Sequence, residues 1–176
     1  IKDFDAYRQK LTEFVFRSGM AMKPVFERSR IDPKRVVYAE GESRRVLRAV
    51  QNAVDEGIVK PILIGRRKVV SLRIEQLGLR LTMDKDFELV DPEGDDRYRE
   101  YWEQYYSITS RDGISQNEAR FMMRTNTTVI AALMLKRNEA NAMICGVTGR
   151  YREHLPHLFK IVGLREGIDR AAALSI

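Results

Sequence analysis

Short apolar runs alternate with amphipathic stretches along most of the chain, the pattern of an α/β fold. The clearest instance is Arg35 to Gly65, RVVYAEGESRRVLRAVQNAVDEGIVKPILIG. Val36, Val37 and Tyr38 make a β-branched and aromatic run, and Pro61 to Ile64 makes a second that ends in Gly65. Between them Val46, Leu47, Val50 and Val54 fall at i, i+1, i+4 and i+8, which is one face of a helix. Gly57 stands where a helix stops in a left-handed residue. Two strands joined by a helix lie parallel, so this is one βαβ unit. Ligands of such sheets sit at the carboxyl ends of strands, which here means the turn Ala39 to Arg45.

The same patterning extends outward. Phe4, Leu11, Phe14 and Val15 recur at helical spacing before Ser18-Gly19, and Met20 to Arg30 follows. That segment reads either as a linker helix from an upstream domain or as an amino-terminal helix over the sheet. Ile31-Asp32-Pro33 turns into the first strand. Arg66 to Leu77 predicts a second helix ended by Gly78, and Phe87 to Val90 a third strand. Asp95 to Tyr106 predicts a helix with Tyr98, Tyr101, Trp102, Tyr105 and Tyr106 on one face, a packing stripe rather than a base-stacking platform. Ser115 and Glu118 form a capping box for a helix to about Met123. Asn126 or Thr125 caps a buried helix over Val129 to Lys136. Ala142 to Gly146 is a fully apolar run, which predicts a parallel strand buried on both faces, with Cys145 an inert core residue.

Composition narrows the function. At 176 residues and 44% hydrophobic, the chain can build one core and the beginning of another. A formal charge of +6, from 31 basic against 25 acidic residues, fits one local anion site on a solvated surface, not a nucleic-acid stripe. A single cysteine excludes an internal disulfide and a cysteine metal cluster. His154 and His157 flank Pro156 with no carboxylate or cysteine at a useful spacing, which predicts an exposed helix and no metal site. No apolar stretch approaches the ~20 residues a bilayer requires, and the start, IKDFDAYRQK, lacks a signal core, so a cytoplasmic address without a membrane partner is expected. The chain opens without methionine and stops in a strand-like run, AAALSI, which reads as a piece of a longer protein.

Candidate binding residues follow from position. Arg44 and Arg45 start a helix beside Gly41, where backbone N–H groups and the helix dipole favour an anion, although both also fit an exposed helix surface. Arg150 and Tyr151 follow the last apolar strand and offer a forked cation and a ring, for a ligand or an interface. Arg111 precedes the Asp112-Gly113 turn as a further candidate cation. No G-x-G-x-x-G or G-x-x-x-x-G-K-S pattern occurs.

The runs AEGESRRVLRAV, KPILIG, SRDGISQNEA, ANAMICGVTGRY and GLREGIDRAAALSI resemble the phosphate acetyl/butyryl transferase family, in order from about Pro24 to Ile176. More narrowly they resemble the phosphotransacetylase-like carboxy-terminal domain of hybrid NADP-dependent malic enzymes, whose connector FVFRSGMAMKPVF also resembles. The resemblance implies a parallel sheet flanked by helices, like that of phosphotransacetylases and isocitrate-isopropylmalate dehydrogenases. It divides the chain into a connector at 1–30, a first α/β subdomain at 31–147 and the incomplete start of a second at 148–176. It also implies that a Ser-Thr-Lys-Gly type segment and a catalytic Asp lie outside the chain.

Active members of the family carry an anion-holding arginine where Thr109 stands, a histidine where Gly149 stands and an arginine near Pro156. Arg45 matches a family arginine, and Arg111 is the nearest cation to the missing one. The resemblance therefore implies no catalytic residue here, and acetyl-CoA or CoA as the ligand of a regulatory domain. The partner would be an upstream malic enzyme domain holding NADP and Mg or Mn, in a homo-oligomer without nucleic acid. An active phosphate acetyltransferase fragment and an oligomerisation module are the alternatives.

Overall fold

A computed structural model of the chain describes Phe4, Tyr7 and residues 22–171, so most of the expected connector lies outside the described residues. Strands β1 (Lys34–Tyr38), β2 (Val59–Ile64), β3 (Glu88–Val90) and β4 (Ala142–Ile144) form one sheet in the order β3-β2-β1-β4. All three pairings are parallel, with Val37 opposite both Ile62 and Met143. Helix α1 spans 22–31. It is followed by α2 (Arg44–Asp55), α3 (Arg67–Gln76), α4 (Tyr98–Thr109), α5 (Gln116–Thr125), α6 (Thr127–Lys136) and α7 (Tyr151–Ile161). The chain steps outward from β1 to β3, then returns to the far side of β1 for β4.

Strand periodicity divides the core in two. Val37, Ala39, Ile62, Ile64 and Val90 join a cluster with residues of α4, α5, α6 and α7. Tyr38, Leu63 and Leu89 point the other way, into a second cluster with Val46, Leu47 and Val50 of α2 and Val70 and Ile74 of α3. Helix α6 is apolar on all sides because it is covered on all sides: Thr128 to Met134 are buried without a break. Each wholly buried aliphatic side chain such as Leu133 contributes roughly 2–3 kcal/mol.

Local signals place the ends. Ser115 and Glu118 form the expected capping box on α5. The Asn126 side chain accepts from Val129 N at 3.1 Å and starts α6 two residues earlier than the apolar pattern alone marks. Gly57 ends α2 at φ 66°, as expected.

The tyrosine stripe of α4 packs. Tyr101 and Tyr105 are buried, and the Arg97 and Arg137 guanidinium carbons lie 5.7 and 5.4 Å from the Tyr101 ring centre. Around that ring, toward the amino ends of the strands, runs a paired ionic network. Arg97 forks onto Asp95 (3.0 and 2.9 Å) and reaches Glu88 at 3.2 Å, and Arg35 bonds the other Glu88 oxygen at 2.7 Å. Tyr101 donates to Glu139 at 2.5 Å, and Arg137 bonds the same carboxylate.

Two expectations need correction. β4 pairs with β1 alone among the described residues, so it is an edge strand with Ile144 46% exposed, not a strand buried on both faces. A fully apolar run implies cover on both faces, and among the described residues Ala142 and Ile144 are left exposed on one of them. Helix α7 is the expected surface helix, with Ile161 its one buried residue, but His154 and His157 are half-buried and turn toward α6, where polar partners await them. Helix α7 also supplies fully buried Ile161 to the main core.

Candidate functional site

An open cleft of about 620 Å³ lies at the carboxyl ends of the strands, where the chain reverses its course across the sheet. Ala39, Glu40, Glu42, Ser43 and Arg44 after β1, Gly65 and Arg66 after β2, Pro92 and Glu93 after β3, and Thr148 after β4 line it, along with Arg124, Thr125 and Thr127 at the α5–α6 turn. Beneath the lining, the turn after β1 packs tightly on the end of β2. Gly41 N donates to the Ile64 carbonyl at 3.0 Å, and a Cβ on Gly41 would lie 2.7 Å from that oxygen and 2.9 Å from Leu63 Cβ. At the reversal point, Glu40 closes the gap between β1 and β4 by accepting from Gly146 N at 2.7 Å.

The cleft holds four arginines in two states. Arg66 grips Glu42 with both arms of its guanidinium, at 2.8 and 2.9 Å, and its backbone N–H adds a third bond at 3.0 Å. Arg73 donates to the Glu42 carbonyl. The Arg66 side chain holds the Glu42 carboxyl below the usual carboxylate range, against the opposing effect of its partial burial. Arg44 and Arg124 instead bond neutral groups, Gln76 at 3.4 Å and the Tyr98 hydroxyl at 3.2 Å. Arg124 also lies over the Tyr98 ring.

A smaller hollow adjoins the cleft and shares Glu40, Thr125, Thr127 and Thr148 with it. His154 forms its wall. His154 Nε2 is 2.8 Å from the Thr148 carbonyl, which can only accept, so Nε2 carries the hydrogen and Nδ1 accepts from the Thr128 hydroxyl at 2.8 Å. Asn126 donates to His157 Nε2 at 3.3 Å while its oxygen caps α6. Burial, then repulsion from His154 and Lys160, lowers the His157 pKa. Burial, with Glu40 nearby, pushes the half-buried Cys145 thiol up and away from nucleophilic character. Among the described residues no group of three His, Cys, Asp or Glu is arranged for a metal ion.

Of the candidates read from the sequence, Arg44 lines the cleft. Arg45 lies beside it on α2, with its side chain outside the lining. Arg111 sits in a short 3-10 turn (Ser110–Asp112) beyond α4. Arg150 is the N-cap of α7 and Tyr151 its first residue, 69% exposed, and neither lines the cleft or the hollow. Arg66, Arg73, Arg124, Glu40 and Glu42 were not singled out from the sequence. The rule that pointed to Ala39–Arg45 applies equally to Gly65-Arg66 at the end of β2, and so could have found Arg66.

A parallel sheet with helices on both faces and a polar cleft at its carboxyl edge defines an α/β domain of the open parallel-sheet class. Residues 20–176 match the phosphate acetyl/butaryl transferase family, and the chain belongs to it. It is 52% identical over 177 residues to an NAD-dependent malic enzyme of Rhizobium meliloti, a match covering 100% of this chain and 23% of that protein. It is 49% identical over 175 residues to an NADP-dependent malic enzyme of Salmonella typhimurium, covering 99% of this chain and 23% of that protein. A phosphotransacetylase from Streptococcus pyogenes shares the fold at a TM-score of 0.72 and 22% identity, covering 85% of this chain and 45% of that one. The chain thus spans 23% of the length of those malic enzymes. Among the described residues no helix is long and apolar enough to cross a membrane.

Proposed function

We propose that this chain is the phosphotransacetylase-like region of a malic enzyme, that its carboxyl-edge cleft takes acetyl-CoA as an allosteric effector, and that it transfers no acyl group. The observation that carries this reading is a cleft equipped to hold an anion but lacking the groups that acyl transfer needs. Arg44 and Arg124, with the hydroxyls of Ser43, Thr127 and Thr148, suit the phosphates of a CoA ester. Thr109, where active relatives by resemblance carry an arginine, is buried with its hydroxyl spent on the Tyr105 carbonyl at 2.8 Å. Gly149 brings no imidazole of its own. Transfer between a thioester and phosphate needs cations placed where charge develops, and each one lost commonly costs ~10²-fold in rate.

In the parent protein the chemistry would be oxidative decarboxylation of malate to pyruvate. A nicotinamide cofactor and Mg or Mn would be held in the upstream part. Malic enzymes of both NAD and NADP type are among the relatives, so the choice between them belongs to that part. Calorimetric titration with acetyl-CoA tests the effector reading. Saturable heat is expected, and silence at millimolar ligand sinks it. An acetyl phosphate formation assay tests the rest, with an active transferase as control, and comparable turnover would restore the acetyltransferase alternative. A second reading, an oligomerisation module, is favoured by Ile144, Phe159 and Val162, apolar and exposed on β4 and around α7. Sedimentation of the chain at several concentrations tests it, and a persistent monomer removes it.

A further inference from the structure

Two of the four cleft arginines are engaged, and Glu42 is what engages them. Three separate segments build the arrangement: the turn after β1 brings Glu42, the end of β2 brings Gly65 and Arg66, and the last turn of α3 brings Arg73. Gly65 makes the room, since a Cβ there would stand 2.8 Å from Glu42 Cγ. The contacts are those of a bound ligand. Two parallel N–H···O bonds from one guanidinium, plus a backbone N–H, are how an arginine site holds a carboxylate or a phosphoryl group. A carboxylate tethered next to its receptor competes at an effective concentration of millimolar or above, so a free anion of similar chemistry does not displace it readily.

The geometry points to Glu42 as the residue that sets the cleft's specificity: its carboxylate fills the Arg66 fork, beside Arg73 on the Glu42 backbone carbonyl, and refuses free phosphate there, and its removal opens a phosphoryl-binding site. Ligand phosphates are left to meet Arg44 and Arg124 across the cleft. The inference concerns the charges of the cleft itself and holds whether or not acetyl-CoA is what enters it.

Titration with inorganic phosphate, followed by calorimetry and phosphorus NMR, tests this without any coenzyme. Glu42→Gln is expected to bind phosphate about tenfold tighter than the wild type, and the double variant Glu42→Gln with Arg66→Gln is expected to lose that gain. Equal phosphate affinity in wild type and a folded Glu42→Gln overturns the inference, and so does a gain that survives loss of Arg66. If Glu42→Gln does not fold, Glu42→Asp decides, because a side chain one methylene shorter keeps the charge but withdraws it from the fork. A smaller gain is then expected, and no gain overturns the inference.

Discussion

The two ends of the same sheet handle charge in opposite ways. Toward the amino ends, Arg35, Glu88, Asp95, Arg97, Arg137 and Glu139 are cross-paired around the Tyr101 ring. At the carboxyl ends, Arg44 and Arg124 rest on neutral partners beside an open volume, and of the four cleft arginines Arg66 alone is matched to a carboxylate. An ion pair that is half-buried and closed on itself serves the fold. A cation left with neutral neighbours in a concave site remains free to accept an anion. The sheet connectivity explains which end does which: loops diverge at the carboxyl ends where the strand order reverses, and space opens there.

The comparison breaks most sharply at Arg97. Arg97→Ala removes a cation 30% exposed at its side chain and leaves Asp95 and Glu139 half-buried with partners lost. A loss of about 2–3 kcal/mol is expected, discounted for partial solvent contact. That is a fall in Tm of several degrees with acetyl-CoA affinity unchanged. A thermal scan indistinguishable from wild type would contradict the structural role. At the other end, Gly41→Ala forces a methyl against the Ile64 carbonyl and is expected to cost about 1–3 kcal/mol. Because Ile64 lines the cleft, ligand affinity should fall with stability, and a stability loss with full affinity would detach this turn from the site.

Acid sharpens the comparison. Burial alone would raise the Asp95 carboxyl, but its bonds to Arg97 outweigh burial and hold it below the usual range, and Arg66 does the same for Glu42. Unfolded carboxylates take up protons near pH 4, before these folded ones do. Their stabilisation is therefore complete above about pH 5 and is lost as pH falls through the folded values. His157 acts earlier with the same sign. Its lowered pKa means the unfolded chain binds a proton first as pH drops below ~6.5, so stability begins to decline there. Urea midpoints from pH 8 to 4 should show the early decline in wild type and not in His157→Gln, and parallel curves would remove His157 as its source. The smallest effect on the fold and a clear one on binding belong to Arg44→Ala: under 0.5 kcal/mol of stability, with about fivefold weaker acetyl-CoA binding. Unchanged affinity would take Arg44 out of the site.

Much of this architecture could be read from spacing, for physical reasons. The α5 capping box and the terminating Gly57 are signals complete within a few residues, and the βαβ unit is a sequence-contiguous pattern from Lys34 to Ile64. The buried helix α6 was legible because a segment apolar on every side must be covered on every side. What spacing could not supply was adjacency. The edge status of β4 depends on which strands flank it, and no pattern within Ala142–Ile144 records that. Arg73 reads as a surface residue of α3 until the fold brings it to Glu42, and Arg124 as one of α5 until the α5–α6 turn overhangs the strand ends. His154 and His157 looked exposed because their partners, Thr128, Thr148 and Asn126, come from other segments.

Hydrogen exchange of the chain with and without saturating acetyl-CoA tests the central claim most directly. Slowed exchange is expected at the backbone amides of 40–44, 65–67 and 146–149, with no change at 82–88 and 138–141. Protection confined to the amino-end network, or to the exposed face of β4 and α7, would contradict the placement of the ligand at the carboxyl edge of the sheet.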